Sequence, residues 1–364
     1  MISLILLSLL LAIVYCRPSY QGHLLPDGAY LSHDRTCFIN GFYCVFVFVN
    51  HLLQYHITPS FDDKIFLHLQ PRGQLLVTTF FFFSGYGLMY SLLKKGTDYA
   101  WKLLLIRLPK IFLQLVFTVL LCWAVDVQVM GNHYSTTHVL LSLIAWQDIG
   151  STNWFICETM MFYFILAIPA LLFGLTRLKR YLVTVWGLSA LMLLVLTLVK
   201  TGPDGYWVNT LLCLPLGMTF CVYRERFEAF FASFKCPPLV VAGVLIVLGM
   251  VLHRKIAGVA TFGNIGSMLY VLGICFAQGC FTIKRTIPFL SWLGGAALLF
   301  CYTLQRIPMR LFSFWELDIY SRELYVLCTL LCTLVAAWAA TLLFRPVFRF
   351  LFREKATAPR VKTS

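Results

Sequence analysis

His51 is the residue whose type and setting best suit proton-transfer chemistry in this sequence. Asn40, Cys44, Val47 and His51 are spaced four, three and four residues apart within a mostly apolar run. Such spacing puts the four side chains on one face of a helix. A neutral imidazole can accept a proton from a hydroxyl group near neutral pH. The alternative is a histidine at a membrane–water boundary that is hydrogen-bonded to a neighbouring loop.

Glu158 is a second candidate, because an acidic side chain inside an apolar run is costly. It follows Asn153 by five residues, near the start of a run that opens with Trp154. A carboxylate can orient an imidazole and fix its tautomer, so Glu158 or Asn153 is predicted to position His51. Capping or hydration of a helix end explains Glu158 equally well.

Five cations lie between two apolar runs and could bind an anionic ligand. They are Lys94, Lys95, Lys102, Arg107 and Lys110. Charge-assisted hydrogen bonds to phosphate are strong, which would suit a phosphorylated cofactor. Composition alone favours a simpler explanation, in which these cations only set the topology of the chain.

An aromatic block followed by small residues occupies positions 80–87. Gly85 and Gly87 are predicted to permit close approach of another helix, so packing is the simplest role for the block. The alternative is a narrow passage lined by Ser84 and Tyr86.

The elements that must hold these residues are transmembrane helices. Of the 364 residues, 60% are hydrophobic and 12% are charged, whereas roughly a quarter of a soluble domain is charged. A helix needs about 20 mostly apolar residues to cross the hydrocarbon core. Such runs predict an all-α polytopic bundle of about ten core spans plus one N-terminal helix, at residues 2–15, 37–53, 75–93, 111–125, 154–175, 181–199, 206–222, 239–252, 262–281, 289–304 and 324–344.

The loops between these runs divide the cations unequally. Alternate loops place 21 of the 29 Lys and Arg residues on one side and eight on the other. Cytoplasmic loops carry an excess of cations, so the richer side and the C terminus are predicted to be cytoplasmic, with His51 in the outer half of the membrane. The net charge of +14 is then explained without nucleic acid. Most of the 13 cysteines lie in apolar runs and are interpreted as small hydrophobic residues.

Three regions follow from this pattern. Residues 1–30 form an N-terminal hydrophobic helix and a cytoplasmic linker, residues 31–345 form the membrane domain, and residues 346–364 form a basic cytoplasmic tail. The N-terminal run lacks both a basic segment before it and a small-residue cleavage site after it, which favours a helix over a cleaved signal peptide. Residues 138–146 are apolar but too short to cross, and Pro169 and Pro215 are predicted to kink their spans.

The sequence lacks the motifs of several function classes. The sequence contains no phosphate-binding Gly-rich loop, no Gly-x-Ser-x-Gly elbow and no metal-ligand cluster, so ATP-driven pumping, serine hydrolysis and a metal requirement are unsupported. Inverted internal repeats, which many secondary transporters show, are not detected either.

Four segments, in order, resemble motifs of the acyltransferase-3 family, the membrane-embedded O-acyltransferases that modify cell-surface sugars and polysaccharides. The likeness covers about residues 31–344. The segments are Ile39-Asn40-Gly41 with His51, Phe82-Phe83-Ser84-Gly85-Tyr86, Asn153-Trp154-Phe155 with Tyr163, and Gly295 with Tyr302-Thr303-Leu304-Gln305. They are similar to the family's Arg-Gly…His, aromatic-Ser-Gly-aromatic, Trp-to-Tyr and Gly…Tyr-Leu-x-His motifs.

The resemblance implies that acetyl-CoA binds from the cytoplasm and that the acyl group passes within the bundle to an acceptor on the far side. His51 matches the family's essential histidine. Two residues depart from the pattern, because Asn40 stands where the family has Arg and Gln305 stands where many members have His. The basic motif before the third core span also lacks a clean Arg-x-x-Arg.

The resemblance therefore implies an O-acyltransferase of the bacterial cytoplasmic membrane that acetylates a cell-surface glycan or polysaccharide from acetyl-CoA. His51 is its predicted general base. The remaining predicted site residues are Glu158 and Asn153 around the base, Lys94, Lys95, Lys102, Arg107, Lys110 and Asn40 for the cofactor, Ser84 and Tyr86 along the passage, and Trp154, Tyr302 and Gln305. A transporter or flippase of a lipid-linked or small substrate, and an inactive relative of the family, stay open as alternatives.

Overall fold

The structure is a computed structural model that describes residues 2–55, 73–200, 206–255 and 260–352. The α-helices are α1 Ile2–Cys16, α2 His33–Leu52, α3 Gly73–Lys95, α4 Thr97–Lys102, α5 Leu108–Gln128, α6 Thr136–Leu143, α7 Trp154–Phe173, α8 Leu178–Val199, α9 Cys213–Ala232, α10 Pro238–Lys255, α11 Ala260–Gly279, α12 Pro288–Leu293, α13 Leu298–Leu304, α14 Arg306–Phe314, α15 Leu317–Tyr320 and α16 Arg322–Phe352. A 3-10 helix, Pro26–Leu31, precedes α2. A π-helical turn, Leu103–Arg107, joins α4 to α5.

Six helices among the described residues are long and apolar enough to cross a membrane. They are Gly73–Lys95, Thr97–Gln128, Trp154–Phe173, Leu178–Val199, Phe262–Gly279 and Arg322–Phe352. Two shorter apolar helices are Leu7–Cys16 and Pro238–His253. The prediction of an all-α membrane bundle is confirmed, whereas the structure supports six spans by length and composition rather than about ten.

Two of the predicted spans differ from the helices that form. The run 289–304 is broken into α12 and α13 at Gly294-Gly295, where a Cβ at Gly294 would collide with the backbone of α2. The run 206–222 becomes helical only at Cys213, because side chains of α11 bind the backbone before it. Asn264 Oδ1 accepts from Leu212 N at 2.9 Å and Ser267 Oγ donates to Asn209 O at 2.7 Å.

The two prolines that were predicted to kink their spans lie at different positions within their helices. Pro169 lies inside α7, as predicted. Pro215 lies in the first turn of α9, where a missing N–H costs little, so its predicted kink is wrong. The kink of α9 falls instead at Tyr223, which has non-helical backbone angles. The apolar segment 138–146 overlaps the short helix α6, which is capped by Ser135; the Ser135 side chain accepts a hydrogen bond from His138 N.

One end of the bundle, here called the basic end, gathers the turns around residues 17–32, 96, 233–237 and 280–287. Two short antiparallel strands pair there, β1 Pro18–Tyr20 with β2 Phe281–Ile283, in the register Ser19 to Thr282. Lys110 lies 5.1 Å from the ring of Phe348 at this end. α16 is helical through Phe352, and the rest of the predicted basic tail lies outside the described residues.

The opposite end, here called the far end, gathers residues 129–153, 206–212 and 305–321. Arg310 forms an ion pair with the buried Asp126 at 2.5 Å, and Tyr134 donates to the same carboxylate. Lys200 lies between the rings of Trp146 and Trp207. Loops that the sequence assigns to one side of the membrane therefore lie together in the fold.

Helices α3 and α9 pack closely between the two ends. A Cβ at Gly85 would collide with the carbonyl oxygen of Leu214, and a Cβ at Gly217 would collide with that of Phe82. The predicted role of Gly85 in close helix approach is thus confirmed. Gly87 is exposed and a Cβ there would meet nothing within 4 Å, so the same prediction is wrong for Gly87.

Candidate functional site

His51 contacts a residue from the other end of the sequence. It lies in the last turn of α2, and Gln305 lies between α13 and α14. Gln305 Nε2 donates to His51 Nδ1 at 2.9 Å and to the Tyr302 carbonyl oxygen at 3.0 Å. The Tyr302 ring stands edge-on to the imidazole, with centroids 6.0 Å apart. Gln305 is only 2% exposed, so this contact fixes the histidine from inside the bundle.

The contact also selects a tautomer. An amide nitrogen carries two hydrogens, and the Gln305 amide uses one on Tyr302 O and the other on His51 Nδ1. When Nδ1 accepts a hydrogen bond, a neutral imidazole carries its proton on Nε2. For Nε2 to act as a base, the Gln305 amide must turn so that its oxygen accepts from Nδ1–H.

Glu158 and Asn153 are both fully buried, Glu158 in helix α7 and Asn153 at its N-terminal cap position. Neither side chain makes a hydrogen bond within the part of the chain that the structure describes. Gln305, and neither Glu158 nor Asn153, is hydrogen-bonded to His51 Nδ1 in the structure, so the orienting role of these two residues stays a prediction. Glu158 remains close enough to Tyr302 to interact with it electrostatically. Its neighbour on α7, Phe155, has its ring 5.4 Å from Tyr302.

Charged residues of the far-end loops surround these buried groups. Asp148 Oδ1 accepts from Asn153 N at 2.9 Å. Burial raises the pKa of Asp148, while that hydrogen bond and the charges of Arg306 and Lys200 oppose the rise. Arg306 in turn donates to Gln54 Oε1 at 2.9 Å. The sequence did not single out these charges, since each looked like an ordinary residue at the edge of an apolar run.

A second candidate site is a pocket of about 670 Å³ at the basic end, between α3 and α9. Its lining combines cations with tyrosines and one acid: Tyr86, Tyr90, Lys94, Tyr223, Arg224, Glu225 and Arg226, with Leu93, Cys221 and Val222. Ligand pockets commonly fall between roughly 300 and 1,000 Å³. The charge and the aromatic faces suit a ligand that has both phosphates and a planar ring.

Arg224 is the best-anchored cation of this pocket. Its Nε lies 3.5 Å from Glu228 Oε1, and its guanidinium interacts with the Tyr86 hydroxyl. Tyr30 is fully buried and donates to Glu228 Oε1 at 2.8 Å. Burial and the charge of Glu228 raise the pKa of Tyr30, so its hydroxyl stays protonated. The backbone of Gly28, with φ of +63°, lies against the guanidinium, where a Cβ would collide with it.

The predicted cation group is divided in the fold. Of its members, Lys94 lines the basic-end pocket. Lys95 and Arg107 lie 5.2 and 5.5 Å from the ring of Tyr99. Lys102 is exposed, and Lys110 packs on Phe348 as described above. The sequence missed Arg224 and Arg226, which it treated only as topology-setting charges.

Asn40 lies apart from these cations. It is 8% exposed and its Oδ1 has no hydrogen-bond partner among the described residues. Its backbone lies where a Cβ on Gly294 would collide. About 16 Å of helical rise separates it from His51 on the same buried face of α2. The structure thus places Asn40 beside α12 rather than in the lining of the basic-end pocket.

Packed aromatic rings occupy the region between the two sites. Successive ring centroids lie 4.7 to 6.5 Å apart in two groups, one of Tyr302, Phe155 and Phe81 and the other of Phe82, Phe220 and Tyr86. Trp154 packs on Phe81 at 6.3 Å. Tyr86 lines the pocket, but Ser84 is exposed and is not part of the lining. Of the two predicted passage residues, the structure places only Tyr86 beside a candidate site.

No family model matches the chain, and neither a curated protein nor a solved structure does. Within the described ranges, no three His, Cys, Asp or Glu side chains come together as a metal-binding group. The fold and the two sites define an all-α membrane protein. At one end a partly exposed histidine contacts buried side chains, and at the other end lies a cationic pocket. The relation to the acyltransferase-3 family stays a prediction from its four sequence segments.

Proposed function

We propose that the protein is an integral membrane O-acyltransferase that moves an acetyl group from acetyl-CoA to a hydroxyl of a cell-surface glycan or polysaccharide. One observation carries the proposal. His51, Tyr302 and Gln305, from two predicted motifs more than 200 residues apart in sequence, contact one another. The buried and unpaired Glu158 lies between Trp154 and Tyr163 of a third motif and interacts electrostatically with Tyr302.

In the proposed reaction, His51 takes up one proton and then releases it. The acceptor hydroxyl gives its proton to the imidazole while its oxygen attacks the thioester carbon. The new C–O ester bond forms, the C–S bond breaks, and the proton passes to the departing thiolate. General acid–base catalysis of this kind contributes roughly 10²–10⁴-fold. Gln305 can serve both tautomers of the ring, since an amide offers donors on one side and an acceptor on the other.

Glu158 and Asn153 are proposed to bind the acceptor. Buried polar atoms are normally hydrogen-bonded, and leaving one unpaired costs about 1–3 kcal/mol. Both side chains are unpaired within the described part of the chain, so a polyhydroxylated acceptor would supply the partners that they lack. A flippase would have no need of the hydrogen-bonded imidazole at this place.

The basic-end pocket is proposed to hold the donor. Lys94, Arg224 and Arg226 would bind the phosphates of acetyl-CoA, and Tyr86, Tyr90 and Tyr223 offer faces for its adenine. Arg107, Lys110 and Lys102, around the π-helical turn, would add to the positive potential at the same end. The aromatic rings between the sites must then separate to admit the thioester arm.

The same proposal assigns the topology. The shorter helices α1, α2, α9 and α10 and the broken pair α12–α13 would complete about ten core spans and one N-terminal helix. The basic end would face the cytoplasm, with the C terminus, in the bacterial cytoplasmic membrane. The far end would then face the envelope, where the acceptor is.

Binding and turnover of acetyl-CoA by purified protein in lipid nanodiscs test this function. We expect acetyl-CoA to bind and to be hydrolysed or transferred by the wild type, and His51→Ala to bind it unchanged but to turn it over roughly 10²–10⁴-fold more slowly. Absence of acetyl-CoA binding would contradict the proposal and favour a flippase. Turnover by His51→Ala at the wild-type rate would remove His51 from the mechanism.

A further inference from the structure

A cavity of about 270 Å³ borders Gln305. It lies between α1, α2 and the C-terminal helices. Apart from Gln305, its polar lining side chains are two hydroxyls, Ser8 and Thr333, and Thr333 Oγ1 already donates to Thr329 O at 2.7 Å. The remaining lining residues are apolar or thiols, among them Leu9, Ala12, Cys44, Phe48, Leu293 and Cys301.

This cavity continues toward the outer surface of the bundle. A neighbouring groove of about 530 Å³ shares Phe289 and Leu334 with it and adds Trp338 and Val335. Phe289 is 47% exposed, Trp338 57% and Val335 62%. Large exposed apolar side chains on a membrane bundle face lipid, so this groove is a sideways opening toward the bilayer.

We propose that the cavity holds the hydrocarbon chain of a lipid-linked acceptor, whose polar head then lies at His51. This inference rests on the proposed function and names its substrate class. An apolar cavity of roughly 150 Å³ stays dry and binds a hydrocarbon, so a larger one with the same kind of lining selects an alkyl chain over a sugar or a phosphate.

The position of the polar group sets the orientation of the chain. Gln305 is the polar residue at the cavity wall that also holds His51 Nδ1. A chain with its tail among Leu290, Leu293 and Phe289 has its head toward the far end, where Glu158 and Asn153 are unpaired. Leu9 and Ala12 close one wall of the cavity, so helix α1 would form part of the binding site for the hydrocarbon chain.

Photolabelling of the full-length protein in lipid nanodiscs tests the proposal. The probe is dodecyl glucoside with a diazirine at the end of its chain, and labelled peptides are identified by mass spectrometry. We expect label on cavity residues of α12 and α2, and about a tenfold loss of that label in Leu9→Trp, because the indole fills the cavity. Leu10→Trp is the matched control, as Leu9 is 8% exposed and Leu10 is 59% exposed.

Each outcome decides the question. Undiminished label on α12 and α2 in Leu9→Trp, or label confined to lipid-facing residues such as Leu10, would overturn the proposal. If the Leu9→Trp protein does not insert into the membrane, Ala12→Phe tests the same point, because Ala12 lies on the same wall of the cavity. Retained labelling without any acetyl transfer would refute the function and leave the hydrocarbon site standing. Acetyl transfer without specific labelling would refute only the site.

Discussion

The far-end site and the basic-end pocket are built in opposite ways. At the far end, His51, Tyr302, Gln305 and Glu158 come from three helical regions distant in sequence, and most are buried. At the basic end, the pocket is lined by two helices, α3 and α9, and its side chains are largely charged or hydroxylated.

This difference corresponds to two tasks. A fixed imidazole among buried polar groups suits chemistry, because electrostatic interactions are stronger where water is excluded. Solvent-accessible cations and tyrosines suit the capture of a soluble anion, where attraction acts over longer distances. Substitutions at one end should therefore change turnover, and substitutions at the other end should change affinity for the donor.

His51→Ala is expected to have the largest effect. Acetyl transfer should fall by roughly 10²–10⁴-fold, the usual contribution of a general base, with no change in acetyl-CoA affinity. The measurement is transfer of labelled acetyl groups in nanodiscs. His133→Ala is the control, because His133 is an exposed histidine at the same end. Equal losses of acetyl transfer in both variants would mean that the imidazole of His51 has no specific role in the reaction.

Arg224→Gln should weaken donor binding instead. Hydrogen bonds to charged groups contribute about 1.5–3 kcal/mol, which predicts a Kd for acetyl-CoA raised by about tenfold or more, with kcat at saturation unchanged. Titration calorimetry measures the affinity. Lys179→Gln, an exposed cation outside the pocket lining, should leave it unaltered. A fall in kcat without a change in Kd would place Arg224 in the catalytic step and break the contrast between the two ends.

Gln305→Leu should lower kcat by about tenfold, since a net hydrogen bond contributes about 0.5–1.5 kcal/mol, and leave KM for acetyl-CoA unchanged. Gln305→Glu sharpens this test. A carboxylate can only accept from Nδ1–H, which leaves Nε2 basic, so this variant should retain activity and shift the pH profile. If Leu and Glu at position 305 behave alike, the residue does not control the tautomer.

The smallest effect is expected at the two residues that the sequence predicted to line a passage, Ser84 and Tyr86. Tyr86→Phe removes the hydroxyl that meets Arg224, and should raise the Kd for acetyl-CoA by a factor of about three, near the low end of a hydrogen-bond contribution. Ser84→Ala should change nothing, because Ser84 is exposed and outside the pocket lining. A larger loss in Ser84→Ala than in Tyr86→Phe would restore the predicted passage along Ser84.

The sequence predicted local features well and distant pairings poorly. Helical spacing placed Asn40, Cys44 and Val47 on one face of α2, and all three are buried. Gln305 could not be paired with His51 from spacing, because 254 residues separate them. Apolar runs indicated helices but not their bounds, since Asn264 binds the segment before α9 from another helix.

The sequence does not distinguish cations that line a pocket from cations that only set the topology. Arg224 and Lys179 look alike in sequence, since each is a cation after an apolar run. Only the packing of α9 on α3 brings Arg224, and not Lys179, into a pocket with Tyr86. The preference for cations on one side of a membrane acts on both residues equally, and so it conceals those that also bind a ligand.

The most direct test of the central claim is acetylation of the envelope glycans in the host. Cells that lack this protein should receive the wild type or His51→Ala, with both proteins present in the membrane at equal levels. The account predicts that only the wild type restores glycans heavier by an acetyl group. Acetylated glycans in the His51→Ala cells, or no difference between wild type and deletion, would contradict it.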